Sequence, residues 1–192
     1  MKKLTANEKG CVNFQSMVFN YGKFHQNAVN RLIHLFGIPA IVFCMIVFML
    51  HMLHFPIFKD FFDKFSWFDG PPVISNIDRY SFMIVPYVAA IVITYLIADI
   101  GVGIANGLCF TGMVLLGNHL YTEYKDVDHF GLTQFQFFLC IQAFCWITQF
   151  IGHGVFEKRA PALLSNILFI YLAPFFEMFL IMNKLFGYKE SA

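Results

Sequence analysis

Charged side chains are scarce in this sequence of 192 residues, where Asp, Glu, Lys and Arg make up 13% and apolar residues 58%. In soluble domains about a quarter of the residues are charged. A chain of this length cannot hide so much apolar surface from water, because a small domain leaves much of its surface exposed. The composition therefore excludes a disordered chain, disfavours a soluble globular enzyme and indicates an integral membrane protein.

Basic clusters and paired cysteines are missing as well. The net charge is only +1, so nothing indicates a nucleic-acid partner, which calls for clustered Lys and Arg. The five cysteines form no CxxC pair, which argues against a disulfide scaffold or a zinc finger. We expect these cysteines to be small buried side chains in packed helices.

Long apolar runs are what the sequence does have. A transmembrane helix needs about 20 mostly apolar residues, and five runs are candidates: 38–58, 81–98, 102–121, 133–151 and 163–185. Pro39 stands at the start of the first run, where its fixed φ favours helix initiation. The second and third runs are separated only by Asp99, Ile100 and Gly101, which allows either a hairpin or one long tilted element. We therefore predict an all-α fold, a polytopic transmembrane helical bundle of about 4–5 spans, as a single integral membrane domain over residues 1–192.

The basic residues predict the orientation of the chain. Four lysines and Arg31 precede the first apolar run, and with five spans the Asp99 turn and the loop at 158–159 lie on the same side. The acidic loop at 122–130 lies on the opposite side. Because Lys and Arg accumulate on the cytoplasmic side, we expect the N-terminus to be cytoplasmic.

Two polar clusters flank the apolar runs, and polar groups at membrane depth indicate function because their burial is costly. The first cluster covers residues 25–39 and the second covers residues 149–162. Under the predicted topology both clusters lie at the same membrane face. Two histidine-bearing segments that meet at one interface are what a membrane metal site requires.

Helical spacing predicts which side chains of the first cluster can meet. Positions four apart share a helical face, so Asn30 lies over His34. His25 and His34 are nine residues apart and would point in opposite directions on one continuous helix. They can share a metal ion only if the helix begins after His25, and Asn27 is a suitable N-cap residue for that start.

The same spacing applies to the second cluster. Gln149, His153 and Glu157 lie on one face if the helix continues through Gly152 and Gly154. The amides and the Glu157 carboxylate favour a metal site, because metal-bound imidazoles need acceptors that fix their tautomer.

Single histidines near the end of a span are more often structural than catalytic. A hydrogen-bonded anchor is the simplest interpretation of His51, His54 and His119. His129 lies among acidic loop residues and is expected to be a solvated surface group, or a fourth ligand if the topology differs. The remaining three, His25, His34 and His153, are the candidate ligands.

The two clusters resemble the signature segments of the 2-hydroxy fatty acid dioxygenase family, small multi-span membrane proteins of fungi and bacteria. The resemblance rests on HQNAVNRLIH at 25–34 with GIP at 37–39, and on QFIGHGVFEKRAPA at 149–162. It implies an Fe²⁺-dependent dioxygenase that uses O₂ to shorten a 2-hydroxy fatty acid by its carboxyl carbon. It also implies that His25, His34 and His153 are the iron ligands. The protein would then lie in the endoplasmic reticulum of a eukaryote or in the inner membrane of a bacterium.

The residues suit that chemistry. Imidazole ligands that leave open positions are the usual setting for ferrous iron that activates O₂. A 2-hydroxy acid can chelate iron through its hydroxyl and carboxylate, and Arg159 or Lys158 can anchor the carboxylate first. Glu157 is expected to ligate or orient His153, and Asn30 to hydrogen-bond a ligand or the substrate. The acyl chain would lie between spans, so the substrate would arrive from the lipid bilayer.

Other classes of function stay open. Membrane di-iron hydroxylases and desaturases use HxxxH and HxxHH boxes, and neither box occurs among the seven histidines. Haem ligation by paired histidines is a weaker rival. The protein would not be an enzyme at all under the remaining alternative. It would be a transporter or a structural membrane protein, and its histidine clusters would only cap helix ends.

Overall fold

The computed structural model describes residues 21–22, 25–64, 81–164 and 168–188. Within these ranges there are six α-helices and no β-strand: α1 (Ala28–Leu53), α2 (Pro56–Phe62), α3 (Ile84–Ala98), α4 (Ile100–Tyr124), α5 (Gln134–Ile151) and α6 (Leu168–Phe186). A π-helical turn, Gly152–Glu157, continues α5 without a break. The predicted all-α architecture is confirmed.

Four helices are long and apolar enough to cross a membrane: α1, α4, α5 with its π-turn, and α6 from Phe169 onward. α3 is equally apolar but has only 15 residues. Large apolar side chains point outward from these helices, as Leu108 (72% exposed) and Phe144 (67% exposed) show. These findings agree with the predicted helical bundle of about 4–5 spans. The lysines before residue 24, on which the orientation depends, lie outside the described residues.

α1 begins at Ala28, ten residues before the first apolar run. The side chain of Asn27 caps it by accepting hydrogen bonds from the backbone N–H groups of Val29 (2.8 Å) and Asn30 (3.3 Å). The expectation that Pro39 starts the helix is therefore wrong, and Pro39 lies in its interior. Hydropathy locates the apolar part of a helix, whereas the polar first turns of α1 are stabilised by the cap.

At its C-terminal end, α1 is shorter than the apolar run predicts. α1 ends at Leu53, and Pro56 opens the separate short helix α2. Proline is favoured in the first turn of a helix, where its missing N–H costs no hydrogen bond. The apolar run therefore continues across the boundary between α1 and α2, which hydropathy alone cannot detect.

A tight hairpin joins α3 and α4, so the alternative of one long element is excluded. Asp99 ends α3 in an extended conformation, and its carboxylate accepts a hydrogen bond from the backbone N–H of Val102 at 3.0 Å. Gly103 permits close packing of the two helices, since a Cβ there would lie 2.6 Å from the backbone N of Leu96. Asp99 also accepts from the Tyr188 hydroxyl at 2.8 Å, which places the end of α6 beside this turn.

α1 is the central helix and packs against α4, α5 and α6. It runs antiparallel to α5, because His51 near its end bonds Gln134 at the start of α5 (3.0 Å), whereas Gln149 near the end of α5 donates to the Ile33 carbonyl near its start (3.2 Å). The two polar clusters of the sequence therefore meet at one end of the bundle.

Candidate metal site

Three imidazoles meet where α1 begins and the π-turn follows α5. His25 precedes the N-cap of α1, His34 lies in its second turn, and His153 lies in the π-turn. All three are buried, and one potential ligand nitrogen from each lies within 4.8 Å of the others. The ring centroids are 4.5 Å apart for His25 and His34, 5.0 Å for His25 and His153, and 4.8 Å for His34 and His153.

The start of the helix at Asn27 explains how His25 joins this group. On an unbroken helix His25 would face away from His34, but His25 and Gln26 are not helical and His25 lies over the first turns of α1. The structure thus brings the three predicted histidines around one point. Their role as ligands stays a prediction.

Backbone carbonyls fix the tautomers of two imidazoles. His25 Nδ1 lies 2.8 Å from the Tyr21 carbonyl, and His34 Nδ1 lies 2.9 Å from the Asn30 carbonyl. Because a carbonyl only accepts, each Nδ1 carries the proton and each Nε2 keeps its lone pair. This is the tautomer in which an imidazole binds a metal through Nε2.

Two ring nitrogens of the triad have no hydrogen-bond partner among the described residues: Nε2 of His25 and Nδ1 of His153, both buried. Buried polar atoms without partners are rare in proteins and are costly. A metal ion coordinated by these nitrogens would satisfy them. The donor set of three imidazoles fits zinc, copper, iron or nickel.

The protonation state of His25 also suits a ligand. Burial lowers the pKa of His25 to about 4; the hydrogen bond to the Tyr21 carbonyl opposes this shift, and the nearby His153 adds a smaller lowering. His25 is therefore neutral near pH 7, and the neutral imidazole is the form that binds metals.

The carboxylate of Glu157 holds the start of α1. Its Oε1 accepts hydrogen bonds from the backbone N–H of Asn27 at 2.7 Å and from the side-chain Nδ2 of Asn30 at 3.2 Å. The carbonyl of Asn30 in turn accepts from His34. The Glu157 carboxylate thus bonds the start of α1 and not His153, and it is not part of the group of ligand atoms around the triad.

The other predicted catalytic residue, Arg159, lies outside this group. Its side chain is exposed and is not part of the cavity wall described below. Its backbone N–H donates to the His153 carbonyl at 3.1 Å, next to Lys158, whose left-handed conformation (φ 54°) ends the π-turn.

Two glycines make the contact between α1 and the end of α5 possible. A Cβ on Gly37 would lie 2.1 Å from Nε2 of Gln149, and a Cβ on Gly152 would lie 2.3 Å from Oδ1 of Asn30. Neither contact could be predicted from helical spacing, because each joins two different helices. The sequence does contain a signal for close helix packing, since each polar cluster has a glycine at a position where no turn requires one.

Tyr21 is a further residue of the site that the sequence did not reveal. Its ring stacks on His25 with the centroids 4.1 Å apart and is buried against Phe169 and Phe176 of α6. A tyrosine near the end of a span is typical of the membrane interface, so its burial beside a ligand could not be distinguished from the sequence.

A cavity of about 410 Å³ opens from the triad into the bundle between α1, α3, α4, α5 and α6. Its polar end carries the three histidines and Gln149, and most of its wall is apolar. Four side chains of the wall are also exposed on the outer surface: Met45, Tyr87, Phe150 and Ile170. The cavity therefore communicates with the lipid-facing surface.

Three of the remaining histidines make structural contacts away from the triad. His51 pairs with Gln134, His54 Nδ1 lies 2.7 Å from the Leu50 carbonyl, and His129 Nε2 lies 3.2 Å from the Tyr124 carbonyl. The interpretation of His51 and His54 as hydrogen-bonded anchors agrees with this geometry, and His129, expected as a surface group, is not part of the triad.

Comparison with known proteins gives two matches. A family profile described as 2-hydroxy-palmitic acid dioxygenase Mpo1-like matches residues 11–185. The 2-hydroxy-palmitic acid dioxygenase MPO1 of Saccharomyces cerevisiae is 28% identical over 180 residues, which cover 92% of this chain and 84% of the yeast protein. No solved structure matches the chain.

Proposed function

This chain belongs to the Mpo1-like family of 2-hydroxy-palmitic acid dioxygenases, and from that premise we propose that it is an Fe²⁺-dependent membrane enzyme that α-oxidises 2-hydroxy fatty acids. The observation that carries the proposal is the buried histidine triad at the polar end of an apolar cavity. We assign it to the endoplasmic reticulum of a eukaryote or the inner membrane of a bacterium, with a cytoplasmic N-terminus.

The overall reaction consumes O₂ and removes one carbon. The bond between C1 and C2 of the 2-hydroxy acid breaks, C2 becomes the carboxyl carbon of the shortened acid, and C1 leaves as CO₂. One O₂ accepts the four electrons and one water forms, so atoms and electrons balance.

In this proposal His25, His34 and His153 hold the iron, which supplies a redox centre for O₂ and a positive charge for the hydroxyl and carboxylate of the substrate. The carbonyls of Tyr21 and Asn30 keep the imidazoles of His25 and His34 in the tautomer that leaves Nε2 available. Three protein ligands leave positions open for substrate and O₂.

Residues around the triad orient the substrate. The exposed cation of Arg159, with Lys158, attracts the carboxylate at the surface of the bundle, since a guanidinium matches a carboxylate in shape. Glu157 and Asn30 keep the start of α1 in register with the π-turn. The apolar wall of the cavity takes the acyl chain and excludes water from the reacting end.

Metal analysis combined with product analysis tests the proposal. Protein purified in detergent should contain iron and should convert 2-hydroxypalmitate to pentadecanoate, detected by mass spectrometry. A chelator should abolish the product and added Fe²⁺ should restore it. Activity that survives thorough chelation would contradict the iron dependence, and a Soret absorption band would indicate haem instead.

Substitution of the triad gives a matched comparison. His25→Ala, His34→Ala and His153→Ala should each lose bound iron and product, because each removes one of three ligands. His119→Ala, on an exposed histidine elsewhere, should keep both. A metal-free protein whose triad variants keep their function would favour the non-enzymatic alternative.

A further inference from the structure

The cavity extends far beyond the three histidines, along one face of α1. Six apolar side chains of this face line it: Ile38, Ile41, Val42, Met45, Ile46 and Met49. Spacings of three and four residues keep them on one side of the helix. From His34 to Met49 the helix rises roughly 22 Å, at about 1.5 Å per residue. The cavity is therefore a long channel that follows α1.

Packed core bounds this channel along α1 beyond the exposed rim at Met45 and Tyr87. Met49 of α1 and Val88 of α3 line the cavity and also pack against a buried cluster that includes Leu50 and Ile84, both 0% exposed. Met49 is the residue of α1 in the cavity wall that lies farthest from the triad along the chain. A ligand that reaches Met49 thus meets side chains that cannot move without disturbing the core.

We infer that Met49 sets the length of acyl chain that the site accepts, an inference that rests on the proposed function for the position of the carboxyl end. An extended chain advances about 1.25 Å per bond when C–C bonds are near 1.5 Å. A palmitoyl chain with its carboxyl end at the triad therefore spans roughly 19 Å and ends beside Met49. A longer chain meets the cluster of Leu50 and Ile84.

Activity measured across a series of chain lengths tests this role. Wild-type protein should prefer 2-hydroxypalmitate, and Met49→Trp should favour 2-hydroxylaurate, with the ratio of kcat/KM values changing about tenfold or more because methylenes lose their place in the pocket. Met49→Ala should change the preference in the opposite direction, toward 2-hydroxystearate. Met52→Trp is the matched control, since Met52 is 46% exposed on the same helix and outside the cavity wall; its profile should equal that of the wild type.

Binding separates this inference from the proposed function. Competition of unlabelled 2-hydroxy acids against radiolabelled 2-hydroxypalmitate, on the purified protein in lipid nanodiscs without O₂, should show the same changes of preference without any turnover. If no reaction is found but Met49→Trp alone changes the binding preference, the chain-length role stands and the proposed reaction falls. If Met49→Trp fails to fold, Met49→Ala gives the same test from the opposite direction. Unchanged binding preferences in the folded Met49 variants would overturn the inference.

Discussion

At the scale of single residues, Glu157 connects the two halves of the site. Its carboxylate is half-buried at the N-terminal end of α1, where it accepts from Asn27 and Asn30. A negative charge is favourable there, because the unpaired N–H groups at the start of a helix carry partial positive charge. The next hydrogen bond in the series joins the Asn30 carbonyl to His34. A displacement of Glu157 would therefore reach the triad through α1.

Glu157→Gln should lower activity several-fold while the protein still expresses and folds. The amide oxygen of glutamine can still accept a hydrogen bond, but the charge that strengthens both bonds is lost, a difference on the order of 1 kcal/mol. The measurement is kcat/KM for 2-hydroxypalmitate together with the thermal unfolding temperature. Glu123→Gln, on an exposed glutamate near the end of α4, is the control, and a fully active Glu157→Gln variant would show that Glu157 is only a surface charge.

The triad could be predicted from the sequence because its residues are few and their spacing is restrictive. Because His25 and His34 are nine residues apart, they can meet only if the helix begins after His25; Asn27 is the suitable N-cap for that start, and the structure has it there. The partners of Glu157 could not be predicted, since they lie 127 and 130 positions away in the chain. Helical spacing relates residues within one helix and says nothing of contacts between helices.

At the scale of elements, the π-turn Gly152–Glu157 is the feature that completes the site. A π-turn carries one extra residue per turn and often occurs at functional sites. Here it holds His153 toward the triad and Glu157 toward the start of α1. Gly152 faces Asn30 within this turn, whereas Gly154 faces open space.

Gly152→Ala should reduce activity strongly, and Gly154→Ala should not. The added methyl at position 152 would lie 2.3 Å from Asn30 Oδ1, and Asn30 is fully buried, so its side chain must leave its bond with Glu157. The two variants make the same chemical change two residues apart in one turn. Equal activities, measured at equal protein folding by circular dichroism, would contradict the proposed packing role of Gly152.

Element boundaries were harder to predict than element identity. The five apolar runs all contain a helix, because hydrophobic length is a direct signal of a span. The start of α1 and its end at Leu53 differ from the run because a cap and the proline at 56 determine them. Similarly, the hairpin at Asp99 depends on a side-chain cap, which composition does not register.

At the scale of the whole molecule, the triad joins three parts of the chain that are otherwise separate. His25 lies before α1, His34 lies in α1, and His153 follows α5. An ion bound by all three would hold these parts together in the folded state only, because the unfolded chain has no preformed site. Metal binding should therefore stabilise the folded state relative to the unfolded chain.

Loading with Fe²⁺ under anaerobic conditions should raise the thermal unfolding temperature. Mass action gives a stabilisation of about 2.7 kcal/mol when the free metal is a hundred times its Kd. His153→Ala should show no such rise, and Ca²⁺, which prefers oxygen ligands, should have no effect on the wild type. An equal rise in His153→Ala would place the stabilising metal elsewhere.

The membrane character of the whole molecule was the easiest property to predict, because it depends on composition and not on contacts. The cavity could not be predicted, since its wall combines side chains of five helices. The orientation of the chain rests on lysines before residue 24 and stays a prediction.

The exposed rim of the cavity at Met45, Tyr87, Phe150 and Ile170 would determine how a substrate reaches the proposed enzyme. A substrate that arrives through this rim is already dissolved in the bilayer, so the quantity that controls its encounter with the enzyme is its mole fraction among the lipids. The volume of the surrounding water then has no bearing on the rate. Diluting the membrane with unreactive lipid would slow turnover, whereas diluting the whole suspension with buffer would leave the rate per enzyme unchanged.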